Sequence, residues 1–234
     1  MSTPKQHTKT LRALELPALI AVPLVLVLAA YLQITQAALL TALACALCLL
    51  VFFASFEAGR PQLNQLMPTV VLAAVAVAGR ILFAPFPDVK PVSAITIIAG
   101  SVFGKRSGFM VGALAALISN FFFGQGAWTP WQMYGWGLMG YLAGVLQEKG
   151  AFEHQAILYA YGFLAPIIEY GLLLDLWTVV GFVRPLTLEL VLATFAAGFA
   201  FNLTHGVATV AFLALLYAPW RKKLMRIKRK YGLV

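Results

Sequence analysis

Apolar residues run along this chain in eight stretches, roughly 17–32, 37–56, 66–84, 89–104, 107–123, 131–147, 157–181 and 188–217, parted by short clusters of Gly, Pro and charge. Most approach the ~20 residues that a helix needs to cross about 30 Å of hydrocarbon, and none alternates with the period of two that marks a barrel strand. The pattern predicts an all-α integral membrane protein, a polytopic helical bundle. The fourth stretch is short for a full crossing, whereas the last two are long enough to tilt or to project beyond the hydrocarbon. Thr129 before Pro130 reads as a helix start, with a hydroxyl N-cap and Pro at the first helical position, which makes GQGAW a loop. On the helix that follows, Trp131, Tyr134, Leu138 and Tyr141 recur at spacings of three or four and share a face.

Composition agrees. The 234 residues are 62% hydrophobic and 11% charged, with mean hydropathy +0.87, against about 25% charged in a soluble domain. The first apolar run follows a basic tail, lacks a convincing small-residue cleavage site and leads at once into a second run, so it is expected to stay in the mature chain. An even number of spans puts both termini on one side. With that side cytoplasmic, Lys5, Lys9, Arg12, Arg60, Lys105, Arg106, Lys149, Arg221, Lys222, Lys223, Arg226, Lys228, Arg229 and Lys230 all face the cytoplasm, 14 of the 17 basic residues. Only Arg80, Lys90 and Arg184 face outward, as the bias of loop Lys and Arg toward the cytoplasm requires. The formal charge of +9 is therefore mainly topological, and RKKLMRIKRK reads as a membrane-surface anchor rather than a nucleic-acid site. Cys45 and Cys48 form a CxxC within an apolar run and are read as buried packing residues, not as a redox pair or metal ligands.

The polar residues mark a candidate site at the outward end. FFFGQGAWTPWQMYGWG holds three of the chain's five Trp, interleaved with Asn120, Gln125, Gln132 and Gly. Trp128, Trp131 and Tyr134 fit either an interfacial aromatic belt or the wall of a pocket; the concentration of neutral hydrogen-bonding groups beside them suits a large organic ligand with flat surfaces and amide edges. A second outward loop, RILFAPFPDVKPV, adds Arg80, Asp88 and Lys90, stiffened by three prolines. Lys90 meets an anionic ligand group or pairs with Asp88, and Arg80 snorkels to headgroups or points into a cavity. Glu169 lies mid-span in the seventh stretch with Asp175 nearer its outer end, and Asn202 and His205 lie one turn apart in the eighth. Antiparallel pairing would bring Asn202 and His205 near Glu169, as a helix-locking hydrogen bond or as a ligand or proton site. Metal binding is not expected from one His and one Glu.

Small residues recur at Gly100/Gly104, Gly108/Gly112, Gly140/Gly144 and Ala74/Ala78, spacings that suit a compact bundle or a docking surface for a partner. The sequence has no GxxxxGK[ST], HExxH or GxSxG, so the chain reads as a non-enzyme with no cofactor of its own, and any ATP-derived work comes from a partner.

From Ala73 to Gly144, and most specifically in FPDVKPV and SNFFFGQGAWTPWQM, the sequence resembles the substrate-specific S components of energy-coupling factor (ECF) vitamin transporters, most closely the cobalamin-type group. The resemblance implies a six-helix core over 66–217 with an outward pocket capped by loops, preceded here by a tail (1–16) and two additional helices (17–65), and followed by a basic tail (218–234). It also implies a bacterial cytoplasmic membrane location, a vitamin ligand of cobalamin type, and partnership with a membrane T component and two cytoplasmic ATPases. Ala74 and Ala78 match the AxxxA-type positions that dock the T component in that family; the two extra helices raise the question of whether this surface is free. The alternative from the residues themselves is a proton-coupled secondary transporter using Glu169 and His205.

Overall fold

The computed structural model describes residues 4–32, 34, 36–58 and 63–232; the linker around Arg60 lies outside the described residues. Among the described residues all regular structure is helical. The helices are α1 (Pro4–Tyr31), α2 (Ala37–Ala58), α3 (Leu63–Leu82), α4 (Val92–Phe103), α5 (Lys105–Phe123), α6 (Thr129–Glu148), α7 (Gln155–Phe182) and α8 (Leu188–Lys230). Four of them (α1, α5, α7 and α8) are long and apolar enough to cross a membrane, and α2, α3 and α4 contribute shorter apolar helices. The polytopic helical bundle read from the hydropathy pattern is the fold. The basic tail, however, is not separate from the last span: α8 continues helical through Lys230, and α1 likewise starts at Pro4, well before its apolar run.

The centre of the bundle is α4, α5 and α6. Every residue of α4 from Val92 to Gly100 is buried; at 1.5 Å per residue its 12 residues reach only about 18 Å, so it is an interior element rather than a full crossing. α6 interrupts its apolar run with Gln132 and four glycines, Gly135, Gly137, Gly140 and Gly144, yet is mostly buried against its neighbours. Glycine explains the closeness of these three helices. A Cβ on Gly100 or Gly108 would overlap the Gly140 carbonyl, one on Gly112 the Trp136 carbonyl, and one on Gly144 the backbone of Lys105. The GxxxG spacings thus serve internal packing. Gly104 is the exception: nothing lies near its missing side chain, and its φ of 91° instead makes the sharp turn from α4 into α5.

The α1–α2 hairpin packs on α5, α6 and the last part of α7. Phe52 of α2 stacks on Phe109 at 3.8 Å and meets Tyr141 edge-on at 5.4 Å. Tyr134 donates to the Leu19 carbonyl (2.7 Å) and the Cys45 thiol to that of Pro130 (2.9 Å). Near the basic end, Glu15 is 1% exposed and takes both the Arg106 guanidinium and the Ser55 hydroxyl. Cys45 and Cys48 are free and buried.

This packing redirects the aromatic face expected on α6. Trp131, Tyr134 and Tyr141 do share a face, but Tyr134 and Tyr141 are turned to the hairpin. The face of α3 bearing Met67, Val70, Val71, Ala74 and Ala78 is exposed, on a helix whose neighbours are α4 and α5.

Candidate functional site

At the end of the bundle away from the basic tail, six helices deliver polar and aromatic side chains to one network. Arg80, in the last turn of α3, donates from Nη1 to Ser119 Oγ (2.5 Å) and Asn120 Oδ1 (2.7 Å) of α5. Its guanidinium also lies over the rings of Trp136 (4.9 Å) and Phe123 (4.7 Å). Cation–π contacts on two rings hold the charge where α3 leaves the membrane, and this settles the choice for Arg80 in favour of the interior. Asn120 then donates from Nδ2 to Gln132 Oε1 (2.8 Å) and Thr129 Oγ1 (3.0 Å). Thr129 donates in turn to Gln125 Oε1 (2.8 Å), and Gln125 donates to the Leu117 carbonyl (2.9 Å). Thr129 was expected to cap α6; instead it is the first helical residue, Trp128 precedes it with no side-chain cap bond, and the hydroxyl ties the loop to Asn120.

The second half of the network is aromatic. Trp136 Nε1 donates to Ser93 Oγ (3.0 Å), and Ser93 Oγ lies 2.7 Å from His205 Nε2. An indole N–H only donates, so Ser93 Oγ accepts from Trp136 and bridges it to the His205 imidazole. Tyr170 stacks on Trp136 at 4.5 Å and meets His205 edge-on at 5.2 Å. Tyr170 is placed by a π-helical turn, Pro166–Gly171, in the middle of α7. A single π turn shifts the register of the side chains that follow it and is frequent at functional sites.

The loop 83–91 closes one side. Pro91 abuts Gly79, Lys90 donates to the Phe86 carbonyl (2.5 Å), and Asp88 takes a left-handed conformation with φ 55°. Burial raises the Asp88 carboxyl above its ordinary range, opposed by Lys90 and then Arg80. Burial also lowers the Lys90 ammonium, opposed by Asp88 and reinforced by Arg80. The three charges feel one another, and no ion pair links Asp88 to Lys90 among the described residues.

The sequence-derived candidates therefore divide. Arg80, Asn120, Gln125, Gln132 and His205 join the network, with Asp88 and Lys90 beside it. Trp128 is half-exposed and covers Gly126; Trp131 is fully buried, 6.3 Å from Trp177, and Tyr134 belongs to the hairpin contact. Glu169 does not pair with Asn202 or His205: its Oε2 lies 3.0 Å from the Tyr161 hydroxyl, which is also 2.7 Å from the Met139 carbonyl. Asn202 bonds instead to Asp175 (2.8 Å), against Gly171 and Gly198 where a side chain would not fit. Helix register explains this: Asn202 packs on Gly171 and His205 on Tyr170, the two residues after Glu169, while Glu169 itself is turned to Tyr161. Ser93, Ser119, Trp136 and Tyr170 were not singled out as site residues. Trp136 had a signal, since it follows Gln132 by one turn and so shares its face; Tyr170 had none, because sequence periodicity does not announce a π turn. Among the described residues no cluster of His, Cys, Asp or Glu is arranged to hold a metal.

The family model for the ECF-type riboflavin transporter S component matches residues 62–222. The chain belongs to that family. The match runs from the start of α3 through most of α8 and so takes in every residue of the network. As an S component, it is the substrate-capture subunit of a transporter that works with a T component and ATPases, and it is a membrane protein. The family is of riboflavin type, whereas the sequence features had pointed to the cobalamin-type group. No solved structure gives a significant match to this S component.

Proposed function

We propose that this S component captures a flat heteroaromatic vitamin, of riboflavin type rather than a corrinoid, in the network formed by Arg80, Asn120, Gln132, Trp136, Tyr170 and His205. The observation that carries the reading is the stacked Trp136–Tyr170 pair flanked by two carboxamides and one guanidinium. A planar ring system intercalates with or stacks beside such rings, while carboxamides match the alternating N–H and C=O edge of a pyrimidine-dione. The guanidinium adds a donor for a ring carbonyl. The family match to a riboflavin-type model supports the same choice.

These side chains bond to one another, so ligand entry exchanges internal hydrogen bonds for ligand bonds and the net gain per bond is modest, about 0.5–1.5 kcal/mol. Stacking and the exclusion of water supply the remainder. The basic end carries Arg106, Lys105, Lys149 and the end of α8 and faces the cytoplasm, which opens the network to the outside. Capture takes place there; reorientation and release follow from the T component and the ATPases.

Titration of the purified chain with riboflavin and, separately, with cobalamin tests this reading. Riboflavin is expected to bind at submicromolar concentration with quenching of flavin fluorescence, and cobalamin far more weakly. Asn120→Ala and Trp136→Ala are each expected to weaken riboflavin binding by roughly ten- to a hundredfold, about 1–3 kcal/mol. Tight cobalamin binding with no flavin binding returns the site to a corrinoid. Accumulation of solute in liposomes driven by a proton gradient, without T component or ATPases, sinks the S-component mechanism in favour of a secondary transporter.

A further inference from the structure

A concave feature lies at the opposite end of the bundle from the network, away from the proposed vitamin site. The first turn of α7 and the basic extension of α8 enclose an open cleft of about 720 Å³. Its walls include Gln155, Tyr217, Arg221, Lys222, Arg226 and Arg229, and none of the lining residues described is acidic. On a helix, positions 221, 225 and 229 stack one turn apart, as do 222 and 226, so four cationic side chains converge on one face rather than radiating from the helix. Tyr217 at the inner wall is buried, and among the described residues its hydroxyl makes no hydrogen bond of ordinary length. A buried phenol without a partner beside four cations is a donor awaiting an anion.

We propose that this cleft binds the phosphodiester headgroup of an anionic phospholipid, with Arg221, Lys222, Arg226 and Arg229 around the phosphate and Tyr217 donating to it. Placement selects a lipid over a soluble anion. One turn before the cleft, α8 presents Leu215, 69% exposed, and two residues after Gln155, α7 presents Ile157, 41% exposed. Acyl chains lie along those side chains while the headgroup sits at Arg221, directly after Trp220, a residue type that settles at the interface. Basic pockets between transmembrane helices on the cytoplasmic side are suited to such headgroups.

The test is native mass spectrometry of the full chain in neutral detergent, titrated with phosphatidylglycerol or phosphatidylcholine. Phosphatidylglycerol is expected to bind at least tenfold more tightly. Arg221→Gln with Arg226→Gln should weaken it about tenfold, whereas Lys149→Gln with Lys223→Gln, which removes the same charge at the same end outside the cleft, should change it less than twofold. Tyr217→Phe should weaken it severalfold with the charge unchanged. Equal losses in the two double variants would show diffuse surface attraction and overturn the proposal, as would equal affinity for the two lipids. Displacement of phosphatidylglycerol by millimolar inorganic phosphate would identify a soluble phosphate site instead. Riboflavin affinity should stay constant in every variant, so failure here is distinct from failure of the capture site.

Discussion

Replacing Gly140 by Ala adds one methyl group at a backbone-to-backbone contact between α5 and α6, and its consequence follows from what that methyl would strike. The new Cβ overlaps the carbonyl carbon and oxygen of Gly108 and lies 2.8 Å from Thr96 Cγ2. Backbone cannot rotate away as a side chain can, so α5 and α6 must part by about 1 Å to restore ordinary contact, and the facing residues lose part of their dispersion energy. Overpacking of this kind costs about 1–3 kcal/mol, and the backbone obstacle puts Gly140→Ala near the top of that range. Gly162→Ala is the matched control. There the obstacle is Leu213 Cδ1, the end of a flexible side chain, and Ala gains up to about 1 kcal/mol of helix propensity over Gly. At roughly 2–4 °C per kcal/mol for a chain of this size, thermal unfolding in detergent should fall by about 6–12 °C for Gly140→Ala and hardly move for Gly162→Ala. Riboflavin binding should weaken with the first, since α5 carries Asn120 and α6 carries Gln132 and Trp136. Equal shifts in melting temperature for the two variants would refute the view that backbone contact between α5 and α6 positions the site.

Three further outcomes are expected. Arg106→Ala leaves the buried Glu15 carboxylate with Ser55 alone; because Arg106 is itself 30% exposed, the penalty is placed at about 2–3 kcal/mol, below that of a fully buried pair, and Glu15→Leu with Arg106→Leu should recover most of the lost melting temperature. Trp136→Phe keeps a ring beside Tyr170 but removes the bond to Ser93, so titration should show a smaller loss of ligand affinity than Trp136→Ala; the same loss for both would assign the effect to the N–H rather than to stacking. Asp88 has a folded pKa above its unfolded one, so its contribution to stability is present below the ordinary value of 3.8 and is lost as pH rises through the raised value. Asp88→Asn, which tolerates the left-handed backbone, should therefore match the native chain in melting temperature near pH 3 and exceed it at pH 7, and a native chain that gains on the variant with rising pH would contradict the burial argument.

The bundle was legible because lipid imposes a simple rule on sequence: a span is a long apolar run, and the eight runs became eight helices among the described residues, with ends shifted by a few residues except where α1 and α8 continue into the basic segments. Arg80, Asn120 and Gln132 were legible for a related reason, since polar groups inside a membrane protein are costly and must converge on partners. Facing was not legible. In a soluble helix the polar side reveals the surface, but α6 is buried on nearly every side, and the aromatic stripe of Trp131, Tyr134 and Tyr141 gives no sign whether it meets a ligand or the N-terminal hairpin. The same loss of contrast hid the separation of Glu169 from His205, which depends on the π turn at Pro166–Gly171 and on the register between α7 and α8.

The hairpin itself is the departure from a six-helix core, and its position bears on how such a subunit is energised. It holds α5 through Phe52 and Glu15 and α6 through Phe52 and the Leu19 carbonyl, and it packs on the end of α7, so it lies against helices that carry one side of the network. α3 is left with Ala74 and Ala78 on an exposed face, where small side chains let another helix approach closely. Arg80 lies on this same helix, two residues beyond Ala78, and holds Ser119 and Asn120 from it. A helix docked at Ala74 and Ala78 that tilted α3 would pull directly on the guanidinium that ties the two carboxamides to the stacked rings, while the hairpin kept α6 in place. The two helices are thus restrained differently: α6 is backed by the added hairpin, while α3 keeps the face of Ala74 and Ala78 exposed.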